Sequence, residues 1–168
     1  HDQSSAASDV YKRQDLVYVD ESGIDSRIYR EWARSKRGVK VFSDITGKRS
    51  ARTTLIAARV ENRIIAPFRY QGYTDSKVFE AYLEQVLVPE LRKGQVVILD
   101  NASFHKSTKA KELIENAGCK IIFLPPYSPD LNPIEKSWDH IKAKIKKFKI
   151  KFDNIEQIIC LLYTSDAA

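Results

Sequence analysis

Two short apolar runs with an amphipathic stretch between them constrain this chain more than any other feature. "QVVILD" (95–100) is almost continuously apolar and ends on an acid, and "CKIIFL" (119–124) is a second run of the same kind. Between them "KSTKAKELIENAG" (106–118) has the amphipathic pattern of a helix and meets a stop signal at Gly118. Runs this short read as strands buried on both faces, and a strand–helix–strand succession requires parallel strands joined by a right-handed crossover. A layered α/β domain is the consequence.

The flanking segments extend that plan. "DLVYVDESG" (15–23) alternates and then stops at a Ser-Gly turn, so it reads as a strand that delivers Asp20 near its C-terminal end. "RIYREWARS" (27–35) and "RTTLIAARVEN" (52–62) are further strand candidates separated by the turn-forming "SDITGKRS", and "NRIIAPFRYQG" (62–72) extends or pairs with the latter. The first third is therefore expected to be an antiparallel meander. In "TDSKVFEAYLEQVLVPEL" (74–91) the period changes: Val78, Tyr82 and Val86, with Phe79 and Leu83, recur at helical spacing behind an Asp75 or Thr74 cap. A last helix is expected to carry Ile134, Trp138, Ile141, Ile145, Phe148 and Phe152 on one apolar stripe. The succession is that of ribonuclease H-like folds. The expected class is α/β, a mixed five-stranded sheet with an antiparallel three-strand flap and helices on both faces.

At 168 residues and 43% hydrophobic content the chain can build one real core as a single domain. Its ends are set apart: residues 1–14 and 161–168 show little periodicity and resemble adapter read-through, so both are expected to be non-native tails around a domain at 15–160. No apolar run reaches the roughly 18 residues of a membrane span. Cys119 and Cys160 match neither a zinc spacing nor a disulfide framework, which implies inert thiols in a reducing compartment. The net charge of +6 favours polyanionic partners.

In an open α/β sheet, functional groups gather at the C-terminal ends of strands, where Asp20 and Asp100 are expected. On neighbouring strands they would face each other across roughly 5 Å, and bare carboxylates that close repel unless a cation lies between them. Oxygen ligands without His or Cys favour Mg²⁺ or Mn²⁺. Glu135, on the final helix, is placed by order to be a third carboxylate of a two-metal phosphoryl-transfer site.

Each group also has a plainer role. Asp20 can close a strand into a turn, and Asp100 can make an Asx turn. Asn132, Pro133, Ile134 and Glu135 fit the first positions of a helix, so Glu135 can be half of a capping box with Asn132. His105 is either an acid–base or supporting donor, or a partly exposed polar residue; Asn101 can orient Asp100, bind DNA or cap the turn. Glu21 is an alternative ligand to Asp20, although strand alternation turns adjacent side chains to opposite faces.

Taken together, "VDESG", "ILDNASFH" and "LPPYSPDLNPIEKSW" resemble the catalytic domain of DDE-type transposases, in particular the bacterial insertion-sequence branch of the mariner-like superfamily. The resemblance spans about residues 15 to 150, and the 34 residues between Asp100 and Glu135, 101 through 134, are similar to the spacing of that group. It implies that Asp20, Asp100 and Glu135 are the catalytic ligands of two divalent ions. It implies cleavage of transposon ends by activated water and attack of the freed 3′-hydroxyl on target DNA, hence double-stranded DNA as partner and a homo-oligomer in the full-length protein. A cytoplasmic, nucleoid-associated location follows if the source is bacterial. The resemblance also implies an N-terminal helix-turn-helix module, and the 14 residues before Asp15 are expected to be too few to form one. Other outcomes on the same fold are a structure-selective nuclease and a truncated fragment that binds DNA without cutting.

Two basic clusters are candidates for the DNA surface. Seven lysines lie from Lys136 to Lys151, among them Lys142, Lys146 and Lys147; Arg30, Arg34, Lys36 and Arg37 surround Trp32. Contacts of this kind grip phosphate and are sensitive to salt without reading sequence.

Overall fold

A computed structural model describes residues 12–24, 37, 52–126 and 128–149, with side chains through Lys147. Among these residues five strands form one sheet: β1 (Leu16–Ile24), β2 (Thr53–Val60), β3 (Arg63–Gln71), β4 (Val96–Leu99) and β5 (Lys120–Phe123), in the order β3-β2-β1-β4-β5. β1, β2 and β3 pair antiparallel, while β4 lies parallel to β1 and β5 parallel to β4. This is the mixed five-stranded plan expected from the sequence. The strand expected at 27–35 lies outside the described residues.

The pleat divides β1 between two layers. Val17 and Val19 enter a core with Ile56, Ala58, Phe79, Leu83, Leu99 and Ile114, on the side of the two middle helices. On the opposite side Leu55 and Ala57 of β2 pack with Ile134, Trp138 and Ile145 of the last helix. Helices α1 (Ser76–Tyr82) and α2 (Thr108–Asn116) thus cover one face and α3 (Ile134–Lys149) the other.

Local chemistry sets the helix limits. The Asp75 carboxylate accepts from the Val78 N–H at 2.9 Å, and the Ser107 hydroxyl accepts from the Ala110 N–H at 3.1 Å, so both helices are capped as N-cap chemistry dictates. α1 was expected to run through residue 91 but ends at Tyr82; a π turn (Leu83–Leu87) and a 3-10 turn (Val88–Glu90) follow. Pro89 has no N–H to extend the α ladder. Gly118, at φ 73°, closes α2. The stripe on α3 is as expected through Ile145; the Phe148 and Phe152 side chains fall outside the described ones.

One element departs from expectation. "CKIIFL" was expected to be buried on both faces, yet β5 alternates, with Lys120 exposed and Ile122 37% exposed. Among the described residues it is the last strand of the sheet, with only β4 beside it, and part of its surface meets solvent. β4, in the interior of the same sheet, is buried at all four residues.

Arg59 of β2 fixes the start of α3. Its Nη1 donates to the Pro133 carbonyl at 2.6 Å and to Ser137 Oγ at 3.0 Å, while Nε reaches the Glu61 carbonyl at 2.7 Å. The fork joins the β2–β3 turn to the first turn of the helix that bears Glu135. Among the described residues no helix is long and apolar enough to cross a membrane.

The contrast between β4 and β5 is measurable. Leu99→Ala, at a fully buried position, is expected to cost about 2–5 kcal/mol in urea unfolding, and Ile122→Ala under about 1 kcal/mol. Equal losses would show that β5 is not the partly exposed strand described.

Candidate active site

The parallel register of β1 and β4 runs Leu16↔Val96, Val17↔Val97 and Tyr18↔Ile98. One further pleat on each strand leads to Asp20 and Asp100, at the same edge and on the same face of the sheet. Glu135 comes from the first turn of α3, which packs on that face. The three carboxylates line a single cleft of about 430 Å³ with Asn101 and Asn132, walled by Pro125, Pro126 and Pro129.

The two strand-end acids are held in opposite ways. Asp20 is 8% exposed, and its Oδ2 accepts from the Trp138 indole N–H at 3.0 Å. Burial pushes its carboxyl up from 3.8 to about 7; the Glu135 and Glu21 charges add to the rise, and the Glu21 backbone N–H and the Trp138 N–H oppose it. Asp100 is half-exposed and lowered instead, chiefly by His105, whose Nδ1 lies 2.6 Å from Asp100 Oδ1; burial opposes this, and the Ala102 N–H, at 2.9 Å from the same oxygen, assists it. The Asx turn and the contact with His105 therefore coexist.

His105 is 0% exposed, not the partly exposed residue that its place beside Lys106 suggests. Its other nitrogen, Nε2, lies 3.2 Å from Glu21 Oε2. Burial works to lower the imidazole, but the hydrogen bonds to Asp100 and Glu21 prevail and raise it from 6.5 to about 9. The stability it contributes is complete below about 6.5 and is lost as pH climbs through about 9. Glu21 is turned away from Asp20, as alternation requires.

The capping box that the sequence allows at α3 as the plainer role of Glu135 is not formed. The Asn132 carbonyl accepts from the Glu135 N–H at 3.1 Å, but Asn132 Oδ1, though buried, has no hydrogen-bond partner among the described residues. The Asn132 N–H goes to the Pro129 carbonyl at 2.9 Å instead of to Glu135. The proline loop draws Asn132 into the cleft wall, which takes its side chain away from the cap. The exposed Glu135 carboxylate makes no hydrogen bond or ion pair among the described residues.

This arrangement suits a hard cation. Asp20 lacks charge compensation, Asp100 Oδ2 and Glu135 have no partner among the described residues, and Asn132 Oδ1 is an orphaned acceptor in the same cleft. All are oxygen donors of the kind Mg²⁺ and Mn²⁺ prefer. Among the described residues no three His, Cys, Asp or Glu groups are already drawn together as a metal cage. Of the basic candidates, Arg37, Lys142, Lys146 and Lys147 are exposed, while Arg30, Arg34 and Lys36 lie outside the described residues.

The sequence profile of the DDE superfamily endonucleases matches residues 15–159. The chain belongs to that superfamily. The DDE domain is 29% identical over 99 residues to the transposable element Tcb2 transposase of Caenorhabditis briggsae, an alignment covering 54% of this chain and 36% of that protein. Among solved structures, the Mos1 transposase paired-end complex with left transposon end aligns over 98% of this chain and 51% of its own, with TM-score 0.69 and 19% identity. The catalytic core domain of BIV integrase aligns over 90% and 82%, with TM-score 0.56 and 13% identity. These likenesses establish the ribonuclease H-like fold of the DDE domain, which spans about half or less of the transposases it matches.

Sequence reasoning missed three partners: Trp138 for Asp20, Glu21 for His105, and Arg59 for the base of α3. Only Glu21 left a local signal, its place one residue after Asp20 on an alternating strand.

The buried Asp20 has a measurable signature. A carboxyl raised from 3.8 to about 7 by folding makes the folded state the tighter proton binder, so stability falls as pH rises across that window. Asp20→Asn removes this contribution, leaving the later decline from His105, and is expected to be more stable than the parent at pH 8 without divalent ions by up to about 4 kcal/mol. Parallel stability–pH curves for the two proteins would contradict this.

Proposed function

We propose that this DDE domain is the cutting and joining domain of a transposase, with Asp20, Asp100 and Glu135 holding two Mg²⁺ or Mn²⁺ ions against DNA. The observation that carries this is the convergence of three carboxylates, from β1, from the end of β4 and from α3, on one cleft with surplus oxygen acceptors. Mos1 complexes solved with Mn and with Mg lend support by likeness of fold. When bound, the ions would supply charge that activates water or a 3′-hydroxyl and stabilises the leaving oxygen.

The residues of the chain do the rest. His105 and the Ala102 N–H keep Asp100 ionised and occupy its Oδ1. Trp138 holds Asp20 Oδ2 and backs it with an apolar wall. Arg59 and the prolines at 125, 126 and 129 fix the entry of α3, and so where Glu135 stands. The exposed Lys142 and Lys147 on α3 would contact phosphates, and pairing two transposon ends would call for a homo-oligomer of the full-length protein.

Glu135→Gln tests the assignment with least risk to folding, because the side chain is exposed. Nicking of supercoiled plasmid in Mg²⁺ or Mn²⁺ is expected to fall at least about 100-fold in Glu135→Gln, with DNA affinity retained. Cleavage that persists in the variant or in EDTA would overturn the assignment. With pre-cut ends, joined product is expected; hydrolysis alone would mark a structure-selective nuclease.

The phosphate contacts have a test of their own. Lys142→Ala with Lys147→Ala is expected to weaken binding equally across DNA sequences and reduce the salt slope by about 2, roughly one per lysine. An unchanged slope would remove α3 from the DNA surface.

A further inference from the structure

Glu21 stands one residue from a proposed metal ligand yet faces the other side of the sheet, where the proposed reaction gives it nothing to do. What it meets there is His105, in the short turn Ser103–Lys106 that follows Asp100. The imidazole packs in the corner made by the rings of Phe79 and Phe104, each with its centroid 4.3 Å away and the two 6.2 Å from each other, and no part of the residue reaches solvent. Each ring nitrogen faces one carboxylate: Nδ1 lies 2.6 Å from Asp100 Oδ1, and Nε2 lies 3.2 Å from Glu21 Oε2. A ring enclosed and engaged at both nitrogens cannot touch substrate, which removes the acid–base role considered for His105.

We infer that Glu21 and His105 form a positioning chain that clamps Asp100 Oδ1 from behind the sheet, so that Oδ2 is the oxygen offered to the cleft. Two donors converge on Oδ1, the His105 ring and the Ala102 N–H, and Oδ2 is left without a partner among the described residues. A carboxylate otherwise free to rotate about its last bond is thereby set in one orientation. Glu21 in turn fixes the ring: with Nε2 tethered to β1 and two aromatic rings packed against it, a flip or swing of the imidazole would break that tether. The adjacent pair Asp20-Glu21 thus serves both faces of one strand. Asp20 enters the cleft directly, while Glu21 steers the acid contributed by the neighbouring strand.

This inference rests on the metal-site assignment above, and Mn²⁺ affinity separates the two. The readout is an electron paramagnetic resonance titration of free Mn²⁺ against the full chain, with circular dichroism confirming that each variant is folded. His105→Ala is expected to weaken Mn²⁺ binding about 10–100-fold, as loss of an orienting partner does. His105→Asn, whose amide N–H can stand in for Nδ1–H, is expected to restore most of that loss. Glu21→Gln, which keeps the fold while loosening the tether, is expected to fall between. A merely structural role would not be rescued by Asn in step with metal affinity. If Glu135→Gln loses Mn²⁺ while His105→Ala and Glu21→Gln bind as the parent does, the positioning chain is overturned and the metal site stands. If Glu135→Gln also binds as the parent does, the metal-site assignment falls and the inference falls with it.

Discussion

The parallel pairing of β1 with β4 is the constraint on which the rest of the molecule depends. Antiparallel β2 holds β1 along its other edge, so β1 is locked between partners of opposite sense. Only that arrangement brings the end of β4 level with the middle of β1, where Asp20 sits opposite Ala57 of β2. The helix α2 exists to make the return from β4 to β5, and α3 finds its place because β1 and β2 present Tyr18, Leu55 and Ala57 toward it. A shift of one residue in the β1–β4 register would turn Glu21 into the cleft and Asp20 out of it.

The two strand-end acids show how environment divides one chemistry into two behaviours. Asp100 is stabilised as an anion by hydrogen bonds from the loop that follows it, whereas Asp20, sunk against Trp138, has one indole donor, its neighbour's amide and a surplus of negative charge nearby. The same fold that brings them together therefore leaves one carboxylate settled and the other in want of a positive partner. That imbalance, with the amide oxygen of Asn132 unpaired among the described residues, gathers unsatisfied oxygen acceptors in one cleft.

Much of this was legible from residues alone. The apolar β4 run, the Asp75 and Ser107 caps, Gly118 at the end of α2 and the α3 stripe are local signals, and each found its element. The three acids were legible as a set because their order along the chain matched a known pattern. What stayed hidden depended on neighbours. "CKIIFL" carries no mark telling a lateral strand from a central one, and the Asn-Pro-Ile-Glu tetrapeptide satisfies a cap pattern until the proline loop pulls Asn132 elsewhere. His105 looks exposed beside Lys106, and only folding closes Phe79 over it. Contacts across long stretches of sequence, such as Arg59 with Pro133, leave no periodic trace.

The two borders of the sheet differ in what they offer another chain. On β3, Pro67 has no amide hydrogen to give, and the register with β2 breaks between Ile56 and Ala58, beside the left-handed Ala66 at φ 49°. A foreign strand approaching there would find a ladder with a missing rung and a bend. β5 presents only four residues, with Lys120 exposed at its start. Among the described residues both borders are therefore poor templates for an added strand, because one lacks a rung and the other is short.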